Sequence, residues 1–235
     1  MKTYLLIHGA LRGAWLWERV MPLLQKGGAN PIALDLPGHG TRAGERRGVT
    51  MSTYIADVID FIRRENLREL VLVGHSMSGI IISKIAEEMP ARVKHLAYLA
   101  AVVPPGSSAL IDLLPKERQE TLRKQQGTAT EVFGTIESLR PGYFTDLEGE
   151  EQERYLRRLT PEPLAAFFDR ITFNTFPDTA VPRTYIMGMR DKALPPALTA
   201  GFAGTLRVDP VRIEAGHDMM VSRPGEVAEV LLSVA

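Results

Sequence analysis

Apolar and polar positions follow two rhythms along this chain. Short apolar runs closed by glycine or by an acidic residue, "TYLLIHG" (3–9), "NPIALDL" (30–36) and "ELVLVG" (69–74), read as buried strands. Between them "WERVMPLLQKG" and "STYIADVIDFIRREN" carry apolar residues at helical spacing. In the second of these, Ile55, Val58, Ile59 and Ile62 form one stripe, and Thr50 or Ser52 is placed to cap its start. "SGIIISKIAEEM" then continues as helix and "VKHLAYLAAVV" as strand. This alternation predicts a parallel sheet of about six strands with helices on both faces.

The rhythm breaks at Pro104-Pro105. From there to about Thr179 the text is charged and helical, with no strand of matching quality. Sheet rhythm returns with "RTYIMGM" (183–189) and "TLRVDPVRIEA" (205–215), and a helix "PGEVAEVLLSVA" closes the chain. The expected organisation is therefore one α/β core made of residues 1–103 and 181–235, with residues 104–180 inserted as a helical lid. Six of the eight phenylalanines, Phe133, Phe144, Phe167, Phe168, Phe173 and Phe176, lie in that insertion. So many aromatic rings must cover apolar surface, either the insertion's own core or a ligand.

Composition narrows the function classes. Twenty-eight basic residues balance 28 acidic ones, so no net field favours nucleic acid or an anionic membrane surface. The absence of cysteine removes disulfides and thiol catalysis, and suits a reducing cytoplasm. No apolar run approaches the roughly 20 residues that span a bilayer, and the amino-terminal apolar stretch is interrupted by His8 and Arg12. The expectation is a soluble cytoplasmic protein acting on a small molecule. A homodimer is compatible with the sequence, but no pattern in it sets the oligomeric state.

The chemistry concentrates in "LVLVGHSMSGIIIS" (70–83). A nucleophilic serine at a sharp strand-to-helix turn needs small residues two before and two after it. Ser76 has Gly74 and Ser78 in those places, whereas Ser78 would have Ser76 and the β-branched Ile80. Ser76 is the candidate nucleophile, with Ser78 standing where the G-x-S-x-G pattern has glycine. In this fold logic an acid and then a histidine follow at the ends of later strands. His217, in the loop "EAGHDMMVSRP", is the candidate base; His95, at the opposite end of its strand, reads as a surface residue. Asp191, in "MRDKALPP", is the candidate orienting acid. Asp209 reads as lying inside a strand, Asp178 as preceding one, and Asp218 is adjacent to His217. Oxyanion donors are expected at the N–H of Met77, directly after the nucleophile, and of Ala10 in the loop "HGALRGAWLW", where Gly9 allows close approach. Substrate contacts are expected from Gly9, Leu11, Met219 and Phe144. Met77, Met187, Met189, Met219 and Met220 flank these motifs and suggest either an adaptable apolar pocket or ordinary core.

Rival motifs are weak. "GHGTRA" (38–43) fits G-x-G-x-x-A, but neither a helix opening there nor a suitably placed acidic residue supports dinucleotide binding. No phosphate-binding P-loop pattern occurs, and the five histidines show no metal-ligand spacing, so neither a cofactor nor a metal is expected.

Taken together, "LLIHGALRGAWLW", "ALDLPGHG", "LVLVGHSMSG", "MRDKALPP" and "AGHDMMVSRP" resemble the α/β-hydrolases. Within that superfamily they are similar to the plant methylesterase and hydroxynitrile lyase branch with its bacterial esterase relatives. The resemblance covers nearly the whole chain. By motif match it implies a Ser76, Asp191, His217 triad with oxyanion donors at Ala10 and Met77, and hydrolysis of small or medium apolar carboxylic esters, methyl and aryl esters among them. Two departures bear on chemistry. Lyases of the branch carry threonine where Ala10 or Gly9 stands here, and lysine where Asp218 stands. A carboxylate at 218 would repel departing cyanide, which favours ester hydrolysis over cyanohydrin cleavage; the alternatives are a lyase or other cofactor-free reaction on the same fold, and a receptor-type, ligand-holding role.

Overall fold

The structure, a computed structural model, describes residues 2–234. Its strands in chain order are β1 (Thr3–Ile7), β2 (Asn30–Leu34), β3 (Leu70–His75), β4 (Val93–Leu99), the two-residue strands β5 (Ser108–Ala109), β6 (Glu131–Val132), β7 (Glu162–Pro163) and β8 (Arg170–Ile171), then β9 (Arg183–Gly188) and β10 (Val211–Ile213). Six of them form one sheet in the order β10-β9-β4-β3-β1-β2. Each neighbouring pair in it is parallel. The helices are α1 (Met21–Lys26), α2 (Met51–Arg64), α3 (Ser78–Glu88), α4 (Lys116–Gln125), α5 (Ile136–Leu139), α6 (Gly149–Leu156), α7 (Leu164–Phe168), α8 (Pro196–Leu206), α9 (Met219–Ser222) and α10 (Pro224–Ser233). Among the described residues no helix is long and apolar enough to cross a membrane.

Alternate strand residues feed two cores. Leu5, Ile7, Leu70 and Leu72 pack on one face with the α2 stripe, whose Ile55, Val58, Ile59 and Ile62 are all buried. Tyr4, Leu6, Val71 and Val73 pack on the other face with α10. Both faces are covered, which is why these strands read as continuous apolar runs rather than alternating ones. Of the two candidate caps of α2, Thr50 is the one used. Its hydroxyl accepts the Thr53 N–H and the Thr53 hydroxyl accepts the Thr50 N–H, each at 3.2 Å.

Several local readings change. The text 205–215 is not one long strand: α8 runs to Leu206 and β10 is only Val211–Ile213, so Asp209 lies in the connection before it. Pro195 and Pro196 at the start of α8 and a left-handed cap at Arg207 delimit a helix that the strand-like text obscured. His95 is not a surface residue: it is buried in β4 and its Nε2 lies 2.9 Å from the Thr184 hydroxyl. Residues 104–180 hold helices α4 to α7, together with two small antiparallel ribbons, β5 with β8 and β6 with β7.

The returning end of that segment is fastened to α3 by two side chains, Glu87 and Lys84, the latter donating to the Thr172 carbonyl at 3.0 Å. Oε1 of Glu87 accepts the backbone N–H groups of Asn174, Thr175 and Phe176 at 2.7, 2.6 and 3.1 Å, and Oε2 accepts Lys84 Nζ at 2.6 Å. Burial works against the ionised form, but Lys84 and the three N–H groups outweigh it and hold the carboxyl down at about 2. The folded pKa lies below the unfolded one, so the stability this group contributes is complete above about pH 4.5 and is lost as the pH falls towards 2. Urea titrations between those limits should show a steeper loss of stability in the native chain than in Glu87→Gln, which keeps the shape without the charge.

Candidate active site

The parallel sheet brings the carboxyl ends of β1, β3 and β9 to one edge, and the loops that leave them carry the sequence-marked chemistry. Ile7 is in register with Gly74, and His75 with Leu99. Ser76 follows immediately, in a left-handed backbone conformation with φ of 55°. A non-glycine residue there is strained, and the strain is held by its neighbours: the Ser76 N–H donates to Leu99 O at 3.2 Å, and its carbonyl accepts the Val102 and Gly79 N–H groups at 2.9 and 3.2 Å. This is the geometry of a nucleophile elbow. The Ser78 hydroxymethyl group fits because its hydroxyl donates to the His8 carbonyl at the end of β1, in a buried contact. Gly9 is required for the same closeness, since a Cβ on it would fall 2.7 Å from the Ser76 Cβ.

The structure places His217 and Asp191 side by side. His217 Nδ1 lies 2.7 Å from Asp191 Oδ2, and both side chains are almost entirely buried. The other oxygen, Oδ1, accepts the N–H groups of Ala193 and Leu194, each at 2.8 Å. These bonds fix the carboxylate, which in turn fixes the imidazole with Nε2 left for chemistry. Gly188 lets the two loops meet: a Cβ there would sit 2.7 Å from the carbonyl oxygens of Ala215 and Gly216. Ser76 and His217 line one small cavity of about 30 Å³ with Ala10 and Met77. Among the described residues no hydrogen bond joins the Ser76 hydroxyl to the imidazole, and neither the Ala10 nor the Met77 N–H has an acceptor within the chain. Both residues line the cavity, so their amides are candidate donors to a bound oxygen.

His75 sits against the site without competing for its chemistry. Its ring centroid lies 4.6 Å from that of His217, and its Nε2 donates to the His217 carbonyl at 3.1 Å. The other nitrogen, Nδ1, is buried without a partner. Burial first, then the neighbouring His217 and Arg12, push its pKa well below the ordinary value, so the ring stays neutral.

Two polar groups that no sequence motif marks hold the first loop in place. Glu162, fully buried on β7, accepts the Leu11 N–H at 2.8 Å and the Tyr54 hydroxyl at 2.8 Å, while its Oε2 lies 3.2 Å from His39 Nε2. The Thr160 N–H donates to the Leu11 carbonyl at 2.8 Å, so residues 160–162 grip both sides of a residue whose φ is 69°. Burial favours the neutral acid at Glu162, but His39 and these donors outweigh it and hold the carboxyl below the usual range.

The second group is Arg12. Its Nε donates to Asp218 Oδ1 at 2.7 Å, Nη1 donates to the Ala10 carbonyl at 2.8 Å, and Nη2 lies 2.6 Å from the same Asp218 oxygen. Asp218 Oδ2 accepts the Phe144 N–H at 3.0 Å. One ion pair thus ties the first loop, the His217 loop and the 104–180 segment. It also changes the meaning of Asp218, whose charge is compensated while the guanidinium of Arg12 lines the cavity. A carboxylate paired in this way does not repel an anion as a bare one would.

The four expected substrate contacts do not line the cavity. Leu11, Phe144 and Met219 are turned into the second core, and Gly9 contributes only backbone beneath Ser76. Side chains of the 104–180 segment line it instead, among them Leu110, Leu114, Tyr143 and Phe167. Of the five flanking methionines only Met77 lines it; Met187, Met219 and Met220 are core. Tyr143, one residue from the expected Phe144, lines the cavity, and Phe144 itself has a positive φ of 52°.

The ion pair gives a direct test. Arg12→Met strands a buried carboxylate and should cost about 3–5 kcal/mol in urea unfolding. Adding Asp218→Asn should restore most of that loss, and additive losses would show that the two groups are uncoupled.

Comparison with known proteins follows the same lines. The model of the alpha/beta hydrolase family matches residues 4–230. A carbendazim-hydrolyzing esterase of Nocardioides sp. (strain SG-4G) is 28% identical over 100% of both chains. An alpha-hydroxynitrile lyase of Arabidopsis thaliana is 27% identical over 99% of this chain and 96% of its own. The fold matches that of an extracellular alpha/beta-hydrolase from a Paenibacillus species with a TM-score of 0.90 at 22% identity, covering 100% of this chain and 99% of the other.

Proposed function

This chain belongs to the alpha/beta hydrolase family, and on that premise we propose that it is a serine carboxylesterase acting on small or medium apolar esters. The observation that carries the reading is the buried His217–Asp191 pair beside a serine held at φ 55°. His217 Nε2 takes the Ser76 proton as Oγ attacks the ester carbonyl. Asp191 keeps the imidazole in the tautomer with Nδ1–H and stabilises the imidazolium. The free N–H groups of Ala10 and Met77 receive the tetrahedral oxyanion, and His217 returns the proton to the departing alcohol. Water then attacks the acyl-enzyme, with the same histidine as base.

Esterases among the relatives, such as the carbendazim-hydrolyzing enzyme, support ester bonds as the substrate class. A cavity of about 30 Å³ holds little more than one water-sized group, so substrate entry requires the 104–180 segment, the lid in this reading, to part from the sheet edge. A second reading rests on Arg12. Its guanidinium beside the cavity could stabilise a small anionic leaving group, as cyanohydrin cleavage requires, and a hydroxynitrile lyase is among the relatives. Ala10, which has no hydroxyl to offer the substrate, favours hydrolysis.

Labelling with a fluorophosphonate followed by peptide mass spectrometry should place one adduct per chain on Ser76 and none on Ser78. His217→Ala should abolish the adduct and lower ester turnover by about 10³-fold or more. Cyanide release from mandelonitrile without turnover of any ester would replace hydrolysis by the lyase reading.

A further inference from the structure

The cavity beside Ser76 adjoins a larger hollow. Arg118, Tyr143 and Ala193 line both the inner cavity and an outer concavity of about 390 Å³ between α4, the 132–134 stretch and the Asp191 loop. The outer wall is apolar where Leu122, Val132 and Leu139 face it. Phe133 belongs to the same wall and, at 46% exposure, is the one large hydrophobic side chain left exposed among the described residues. An aromatic ring in water beside an active-site opening lacks a packing partner that a bound molecule can supply.

The charged groups in this hollow are unevenly matched. Arg118 and Lys192 both line it, and neither has a carboxylate within ion-pair distance among the described residues. Glu117 is the single acidic residue on the wall, and it too is unpaired, leaving two cations against one anion. Arg118 is half-buried and stands at the junction of the two spaces, where solvent screens it less than a freely exposed charge.

We propose that this hollow receives the distal arm of the ester substrate, and that the arm is apolar with a terminal carboxylate recognised by Arg118 and Lys192. The preferred substrates are then hemiesters of dicarboxylic acids: the ester end reaches Ser76, the hydrocarbon lies on Phe133, Leu122 and Leu139, and the free carboxylate pairs with the guanidinium. This deepens the esterase reading, since it depends on Ser76 marking the reacting end. Hydrolysis of such a substrate breaks the acyl carbon to alkoxy oxygen bond and releases the alcohol and a dicarboxylate. A reaction that forms or unmasks the hemiester must precede it.

The test separates binding from turnover. Monomethyl suberate and dimethyl suberate differ at the distal end, a carboxylate in the first and its uncharged methyl ester in the second, and their affinities for Ser76→Ala can be measured by calorimetry without hydrolysis. The hemiester should bind about three- to tenfold more tightly at low ionic strength, as expected for one partly buried charge-assisted contact. That gap should narrow at high salt and close when Arg118→Ala is added. Lys192→Ala should narrow it less. Equal affinities for the two esters, or a gap that persists in the variant lacking both cations, would overturn the proposal. Turnover of 4-nitrophenyl acetate by the native chain, which needs no distal contact, reports separately on the esterase reading.

Discussion

The parallel hydrogen-bond ladder is the constraint on which everything else rests. Because β1, β3, β4 and β9 all run the same way, every strand-to-helix turn that follows them opens at one edge. Residues separated by more than 200 positions, such as Ala10 and His217, meet there without any direct local signal. The ladder also places the strain. At this edge the sheet hands over to α3 within two residues, and Ser76 takes a left-handed conformation that its backbone bonds to Leu99 and Val102 maintain.

On that frame, buried polar side chains hold three loops against one another. The Arg12–Asp218 pair bonds the first loop to the histidine loop, and Asp218 reaches on to the Phe144 amide. Glu162 and the Thr160 amide grip Leu11 from the other side. Each of these groups loses hydration on burial, and each recovers it through near-complete partnering. The same contacts join the 104–180 segment to the site, so its seating and the shape of the first loop are coupled. The 104–180 segment is thus fastened by charge-assisted bonds at Phe144, Leu11 and Glu87 rather than by apolar packing alone.

Much of the site was legible in the text because its carriers are turn chemistry. Gly74 and Ser76 mark a strand-to-helix turn by residue size, and Asp191 and His217 each follow a strand, so their common edge follows from parallel topology. The two arginines, Glu162, Tyr143 and Leu110 were not legible. They lie in or against the segment 104–180, whose helices have no sheet register to order them. Asp218 shows the limit clearly. As a letter it is a carboxylate next to a histidine, but its electrostatic meaning depends on Arg12, 206 residues away in the chain.

The sequence by itself determined the fold class and placed the candidate serine, acid and histidine after strand ends, because apolar periodicity and turn residues act locally. Tertiary structure alone decided which face of each loop points inward, which charges are compensated and what lines the pocket. Those properties arise from contacts between distant segments, where burial sets the cost of a charge and a partner removes it.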